Sequence, residues 1–254
     1  MPLALEVCVE SVESALVAQN NGAARIELCA SLAVEGGITP SLGLISLAKQ
    51  RVSLPIMVMI RPRSGDFCYS DDEFDIMKTN IEACKSAGVA GVVFGILTPE
   101  GRVDIDRMKT LVFLAQPLQV TFHRAFDVTR DTSEALTDIL SLGGGIQRIL
   151  TSGADKSVLE GLPMLETLFR QANGRVIIMP GAGISLRNLD RIMSALIPAG
   201  LQEIHMSCMK TVDSPMIYRN SIVSMGSSAG RSEFQRVTVN GDTVRQVVDM
   251  FQTR

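Results

Sequence analysis

The chain has 254 residues, 46% of them hydrophobic, with no tryptophan, two tyrosines and a net charge of −3 at pH 7. Scattered Lys and Arg leave no basic stripe for a phosphate backbone, and the scarcity of aromatics removes a base-stacking platform, so nucleic acid is not an expected partner. No run reaches the apolar length needed to span a bilayer, and residues 1–6 carry neither a basic leader nor a long apolar core, so a cytosolic protein is expected. Five cysteines without a C-x-x-C pair fit reduced thiols and argue against a disulfide framework or a structural zinc site.

In chain order, short apolar runs fall at 3–9, 25–29, 56–60, 91–95, 118–123, 148–151, 176–179 and 203–207. Helical patterns separate them. Thr39-Pro40 reads as proline at a first helical position; Ser70 to Glu73 and Asp131 to Glu134 have capping-box spacing; Asn173-Gly174 is a left-handed stop; and Val244, Val247, Val248 and Phe251 form a helical stripe. Eight β-α units in about 250 residues predict a (β/α)8 barrel of TIM type in a single domain. An open doubly wound sheet would carry a glycine-rich first turn, and here that turn is Cys8-Val9-Glu10-Ser11. Residues 208–240 are polar and serine-rich, and read as an irregular extension over the barrel mouth or against another subunit.

Strand parity then sorts the side chains. With Leu5, Val7, Ile26, Leu28, Ile56 and Val58 turned to the helices, the lumen receives Glu6 and Cys8, Arg25, Glu27 and Cys29, then Met57, Met59, Arg61 and Arg63. The fifth strand adds Thr121 and His123, and the eighth adds Glu203, His205 and Ser207. Such a set either neutralises itself or awaits a ligand.

Several chemistries follow. Guanidinium forks on Arg61 and Arg63 suit an anion or could pair with Glu6 and Glu27. Arg25, His205 and Ser207 join that anion-binding set, while Glu6, Glu27 or His123 could move a proton as acid or base. Gly181 and Gly183, before a helix read from about Leu186, offer backbone N–H groups to an anion, with Thr151 adding a hydroxyl. Strands about 4.8 Å apart would let Cys8 and Cys29, if level, share a soft ion such as Cu(I), with Met57 or Met59 as thioether support. Inert packing of the same thiols is the competing reading.

The segments Glu6-Val7-Cys8, Gly22 to Cys29, Gly36 to Gly43, Ile60 to Phe67, Thr121 to Asp127, Arg148 to Gly153 and Tyr218-Arg219-Asn220 together resemble the CutC family, named for copper homeostasis. That resemblance implies a TIM-type barrel, a cytosolic homo-oligomer, a role in intracellular copper handling, and Cu(I) ligands on Cys8 and Cys29. Arg63-Ser64-Gly65 and Ala182 depart from the glycines usual at those places. The expected ligand is therefore copper or a small molecule. The alternative to a copper-binding protein is a barrel enzyme acting on a small phosphorylated or carboxylated substrate.

Overall fold

The computed structural model describes residues 3–220, Ile222 and residues 232–253. The chain runs β1 (Ala4–Val9), α1 (Val12–Asn20), β2 (Arg25–Leu28), α2 (Leu32–Glu35), α3 (Leu42–Arg51), β3 (Ile56–Met59), α4 (Asp71–Ala87), β4 (Gly91–Phe94) and α5 (Ile105–Ala115). It continues with β5 (Gln119–Phe122), a 3-10 turn (Arg124–Val128), α6 (Thr132–Leu140), β6 (Arg148–Thr151), α7 (Leu162–Ala172), β7 (Ile177–Pro180), α8 (Leu189–Leu196) and β8 (Glu203–Met206). A ribbon of β9 (Met209–Asp213) and β10 (Gln235–Val239) precedes α9 (Gly241–Gln252).

Strands β1 to β8 are parallel in the order β7-β6-β5-β4-β3-β2-β1-β8, and one parallel bridge between Gly181 and His205 links β7 to β8. This is the expected barrel. Parity divides its interior into two apolar sets. Leu5, Val7, Ile26, Leu28, Val58, Phe94, Phe122 and Ile204 pack outward against the helices, whereas Cys29, Met57, Met59 and Val93 form a small cluster inside the lumen.

Local chemistry fixes the helix ends. The Ser70 hydroxyl accepts from Glu73 N–H while the Glu73 carboxylate accepts from Ser70 N–H, and Asp131 caps α6. Asn173 itself takes the left-handed conformation after α7. Two starts differ from expectation. Ser41, whose hydroxyl accepts from Leu44 N–H at 3.2 Å, caps α3 and leaves Pro40 outside the helix. Helix α8 starts at Leu189, because Asn188 Oδ1 accepts from Ser185 N–H at 2.7 Å and closes a preceding turn.

The stretch read as irregular contains the antiparallel β9-β10 ribbon, with Met209 paired to Val239. Ser14 on α1 anchors it: its hydroxyl lies 3.1 Å from that of Thr238 and accepts from Val239 N–H at 3.3 Å. The ribbon thus stands beside the mouth, and the middle of the expected extension lies outside the described residues.

Candidate functional site

Adjacent registers decide which inward side chains meet. Glu6 lies level with Arg25 on β2 and His205 on β8, and Cys8 lies level with Glu27. Glu6 therefore pairs with Arg25, whose guanidinium also reaches Glu203 at 2.5 Å; Glu203 in turn holds Arg148 at 2.9 Å. Arg25 is thereby a structural cation below the mouth and not a free anion ligand. The pairing of Arg61 and Arg63 with Glu6 and Glu27, one of the two readings of those arginines, does not form: Glu6 takes Arg25 and His205, Arg61 takes backbone carbonyls, and Arg63 takes Asp66 and Glu73.

Above this layer, Glu6 Oε1 lies 2.8 Å from Nδ1 of His205, and His205 Nε2 lies 3.8 Å from Glu27 Oε2. Burial alone would push the Glu6 carboxyl up, but Arg25 and His205 outweigh it and hold it at about 2. Burial likewise works against a charge on His205. Cys8, Glu27 and Glu6 around the ring nevertheless raise it well above the ordinary imidazole value. Glu27 is raised, chiefly by burial, and its Oε1 has no hydrogen-bond partner. The Cys8 sulfur, a Glu27 oxygen and a His205 ring nitrogen all lie within 4.8 Å of one another, and all three residues are buried.

Cys29 stands two residues beyond Glu27, so it is staggered from Cys8 and the two thiols are not level. Its Sγ donates to Glu27 Oε2 at 3.4 Å, and burial, with Glu27 beside it, pushes the thiol well up. Cys8 lines the open cavity at the mouth; Cys29 lies beneath Leu32 and Gly37. Met59 reaches the same cavity, while Met57 stays below it against Gly91.

That cavity has a volume of about 440 Å³, within the usual range for small ligands. Arg61, His123, Gly183, His205 and Ser207 line it as expected. Arg61 donates from Nη1 to the carbonyls of Glu35 (2.7 Å) and Gly37 (3.1 Å) and from Nη2 to that of Gly65 (2.9 Å), so most of its fork clamps loops. Arg63 turns away to Glu73 and Asp66 and stacks on Tyr69, which removes it from the mouth. His123 accepts from Ala125 N–H at Nδ1, so the proton of the neutral ring sits on Nε2, which has no partner. Burial and Arg61 push its pKa down to about 3. A neutral ring with Nδ1 occupied presents Nε2–H as a hydrogen-bond donor.

Glycine makes this placement possible. A Cβ on Gly95 would lie 2.9 Å from His123 Nδ1 and 3.0 Å from Phe122 Cε1. The hydroxyl of Thr151 is taken: it donates to Asp127 Oδ1, which also accepts from the Ser152 and Ala154 amides. Asp127, not an external anion, thus organises the turn after β6. Gly181 is consumed in the bridge to His205, where a Cβ would meet Leu150 Cδ1 at 2.5 Å, so only Gly183 of that pair faces the cavity.

Parity missed Arg124, Met209 and Ala182, which also line the cavity. Arg124 sits past the strand end, where alternation no longer applies, and its i,i+3 spacing from Asp127 was the available signal for their 2.7 Å ion pair. Ala182 has φ +108°, a conformation that disfavours a side chain, at the place where glycine is usual.

The fold and this mouth define a (β/α)8 barrel with a ligand-sized cavity over a buried ion-pair network, beside a thiol, imidazole and carboxylate cluster. The CutC family profile matches residues 3–210. The chain is 49% identical over 241 residues to the copper homeostasis protein cutC homologs of Mus musculus and Homo sapiens, covering 95% of this chain and 86% of each relative. A crystal structure titled as a copper homeostasis protein CutC from Streptococcus agalactiae superimposes with TM-score 0.74 at 32% identity, over 82% of this chain and 99% of that one. The chain belongs to the CutC family. A barrel described as an aldolase, QR15, matches at TM-score 0.58 and 13% identity over 81% of this chain and 89% of that one, and shares the fold alone. Among the described residues no helix is long and apolar enough to cross a membrane.

Proposed function

We propose that the mouth binds copper as Cu(I), with the Cys8 sulfur, the His205 imidazole and a Glu27 oxygen around the ion and Cys29 as a second thiol behind Glu27. One observation carries this reading: three buried ligand atoms converge within 4.8 Å. Metal bonds of about 2.0–2.3 Å put ligand atoms about 3.5 Å apart, so the cluster would close by about an ångström on an ion. Glu6 supports it by holding Nδ1 of His205, the usual carboxylate partner of a metal-binding imidazole, which turns Nε2 toward Glu27. Thiol and imidazole are soft enough for Cu(I), and the thioethers of Met59 and Met209 line the same cavity. The anionic surroundings that favour a proton on His205 also favour a monovalent cation in its place. With relatives named for copper homeostasis, the role is handling of copper in the cytosol, by a homo-oligomer as the family resemblance implies.

The test is competition for Cu(I) against a chromophoric chelator, using reduced protein. Cys8→Ser should weaken binding about a hundredfold or more, and Cys29→Ser about tenfold or less. Unchanged affinity in Cys8→Ser removes the proposal. A barrel enzyme acting on a carboxylated or phosphorylated substrate is favoured by a separate observation, the unpartnered polar atoms of Glu27 and His123 at the mouth.

A further inference from the structure

Two N–H groups beside the cavity are unused by the fold. One is His123 Nε2–H just past the fifth strand, and the other is Arg61 Nε–H just past the third; both are buried and neither makes a hydrogen bond, and the Tyr69 hydroxyl beside Arg61 is likewise unbonded. An unsatisfied buried donor is costly, and both donors belong to residues that line the cavity, so a ligand oxygen reaching them would offset that cost.

Charge points the same way. Arg25 and Arg148, the other buried arginines, are neutralised by Glu6 and Glu203. Arg61 meets three backbone carbonyls instead and, among the described residues, has no carboxylate partner. Carbonyls satisfy N–H groups but carry no net charge, so one full positive charge stands beside the cavity without a counter-ion.

Phe67 joins the two donors. Its ring centroid lies 5.0 Å from Arg61 Cζ and 4.9 Å from the His123 ring, and it covers both. The Phe67 carbonyl accepts from Leu97 N–H at 2.9 Å, which holds the backbone at this residue. Beyond the ring the cavity is walled by Leu32, Leu150 and Ile184.

We propose that this cavity takes a small organic monocarboxylate, its carboxylate end between Arg61 and His123 once the Phe67 ring turns aside, and its apolar body against Leu32, Leu150 and Ile184. One unopposed cation matches one negative charge better than a phosphate dianion, and the two planar donors suit two carboxylate oxygens. Because His123 stays neutral above about pH 3, its donor persists wherever the ligand is ionised. Arg61 and His123 lie just past β3 and β5, on another wall of the cavity from the Cys8 cluster of β1, β2 and β8, so the site goes beyond the copper reading, needs no metal, and rests on the carboxylated-substrate reading, which it narrows.

Reduced, metal-free protein titrated with butyrate, and in parallel with butyramide and inorganic phosphate, tests the proposal by amide NMR shifts. Butyrate should bind saturably, and butyramide and phosphate at least about tenfold more weakly. His123→Phe, which keeps a flat ring and removes the donor, and Ile184→Trp, which fills the cavity from its rim, should each weaken butyrate about tenfold. Phe67→Ala should bind at least as tightly as the parent. If His123→Phe does not fold, Ile184→Trp and the butyramide comparison still decide. No saturable shift up to ~50 mM butyrate, equal binding of butyramide, tighter binding of phosphate, or indifference to Ile184→Trp would each overturn it, whatever the Cu(I) titration gives.

Discussion

Glu6 Oε1 stands 2.8 Å from Nδ1 of His205, linking the first strand to the last. Because its other oxygen holds Arg25, this single carboxylate joins the ion-pair layer below to the thiol cluster above. Its position couples the ion-pair layer to the orientation of the His205 ring.

Glu6→Gln keeps the shape and removes the charge, leaving both Arg25 and His205 short of a counter-ion. Unfolding free energy should fall by about 3 kcal/mol, and Cu(I) affinity should drop by about 10- to 100-fold as the imidazole loses its orienting partner. Urea melts and chelator competition read the two effects; a variant as stable as the parent contradicts the network.

Acid sensitivity should begin with His123. Its folded pKa lies near 3 against an ordinary 6.5, so between those values the unfolded chain binds more protons and stability is lost as pH falls. Glu6, held at about 2 against 4.5, adds a second loss below about pH 4.5. His123→Gln should flatten the loss between pH 7 and 5 in melting experiments, and an unaltered slope would show that the imidazole is not the group responsible.

Gly95→Ala places a methyl 2.9 Å from His123 Nδ1. Since the contact is to a ring packed on Phe67 and Phe122, the cost should be about 1–3 kcal/mol. Thermal unfolding measures the cost, and perturbed His123 ring resonances should accompany it.

Asp127→Ala removes the acceptor for Thr151, Ser152 and Ala154 at once. The turn after β6 should loosen, with a loss of about 2 kcal/mol or more and faster hydrogen exchange at the Ser152 and Ala154 amides. Retained protection at both amides would mean the turn is held by something else.

Much of the architecture was legible before any coordinates. Alternation at Glu6-Val7-Cys8 and Arg25-Ile26-Glu27-Leu28 assigned the inward faces, and capping signals at Ser70 and Asp131 marked helices. The β9-β10 ribbon was not legible, because its residues are half-exposed and polar and pair with one another across more than twenty positions. Partner choice was harder still: nothing around Arg63 distinguished a side chain aimed into the mouth from one captured by Glu73 on the following helix.

By itself, the sequence determined a barrel of eight parallel strands and the inward faces of its strands, since both follow from a period of two and from caps within a few residues; past the strand ends, at Arg63 and Arg124, alternation no longer decided the direction. Only the tertiary structure decided who meets whom. The stagger between strands set Cys8 beside Glu27 and not Cys29, gave Glu6 to Arg25 and His205, and left Arg61 among carbonyls. Register between strands twenty to two hundred residues apart depends on how the whole sheet closes, and no local pattern encodes that.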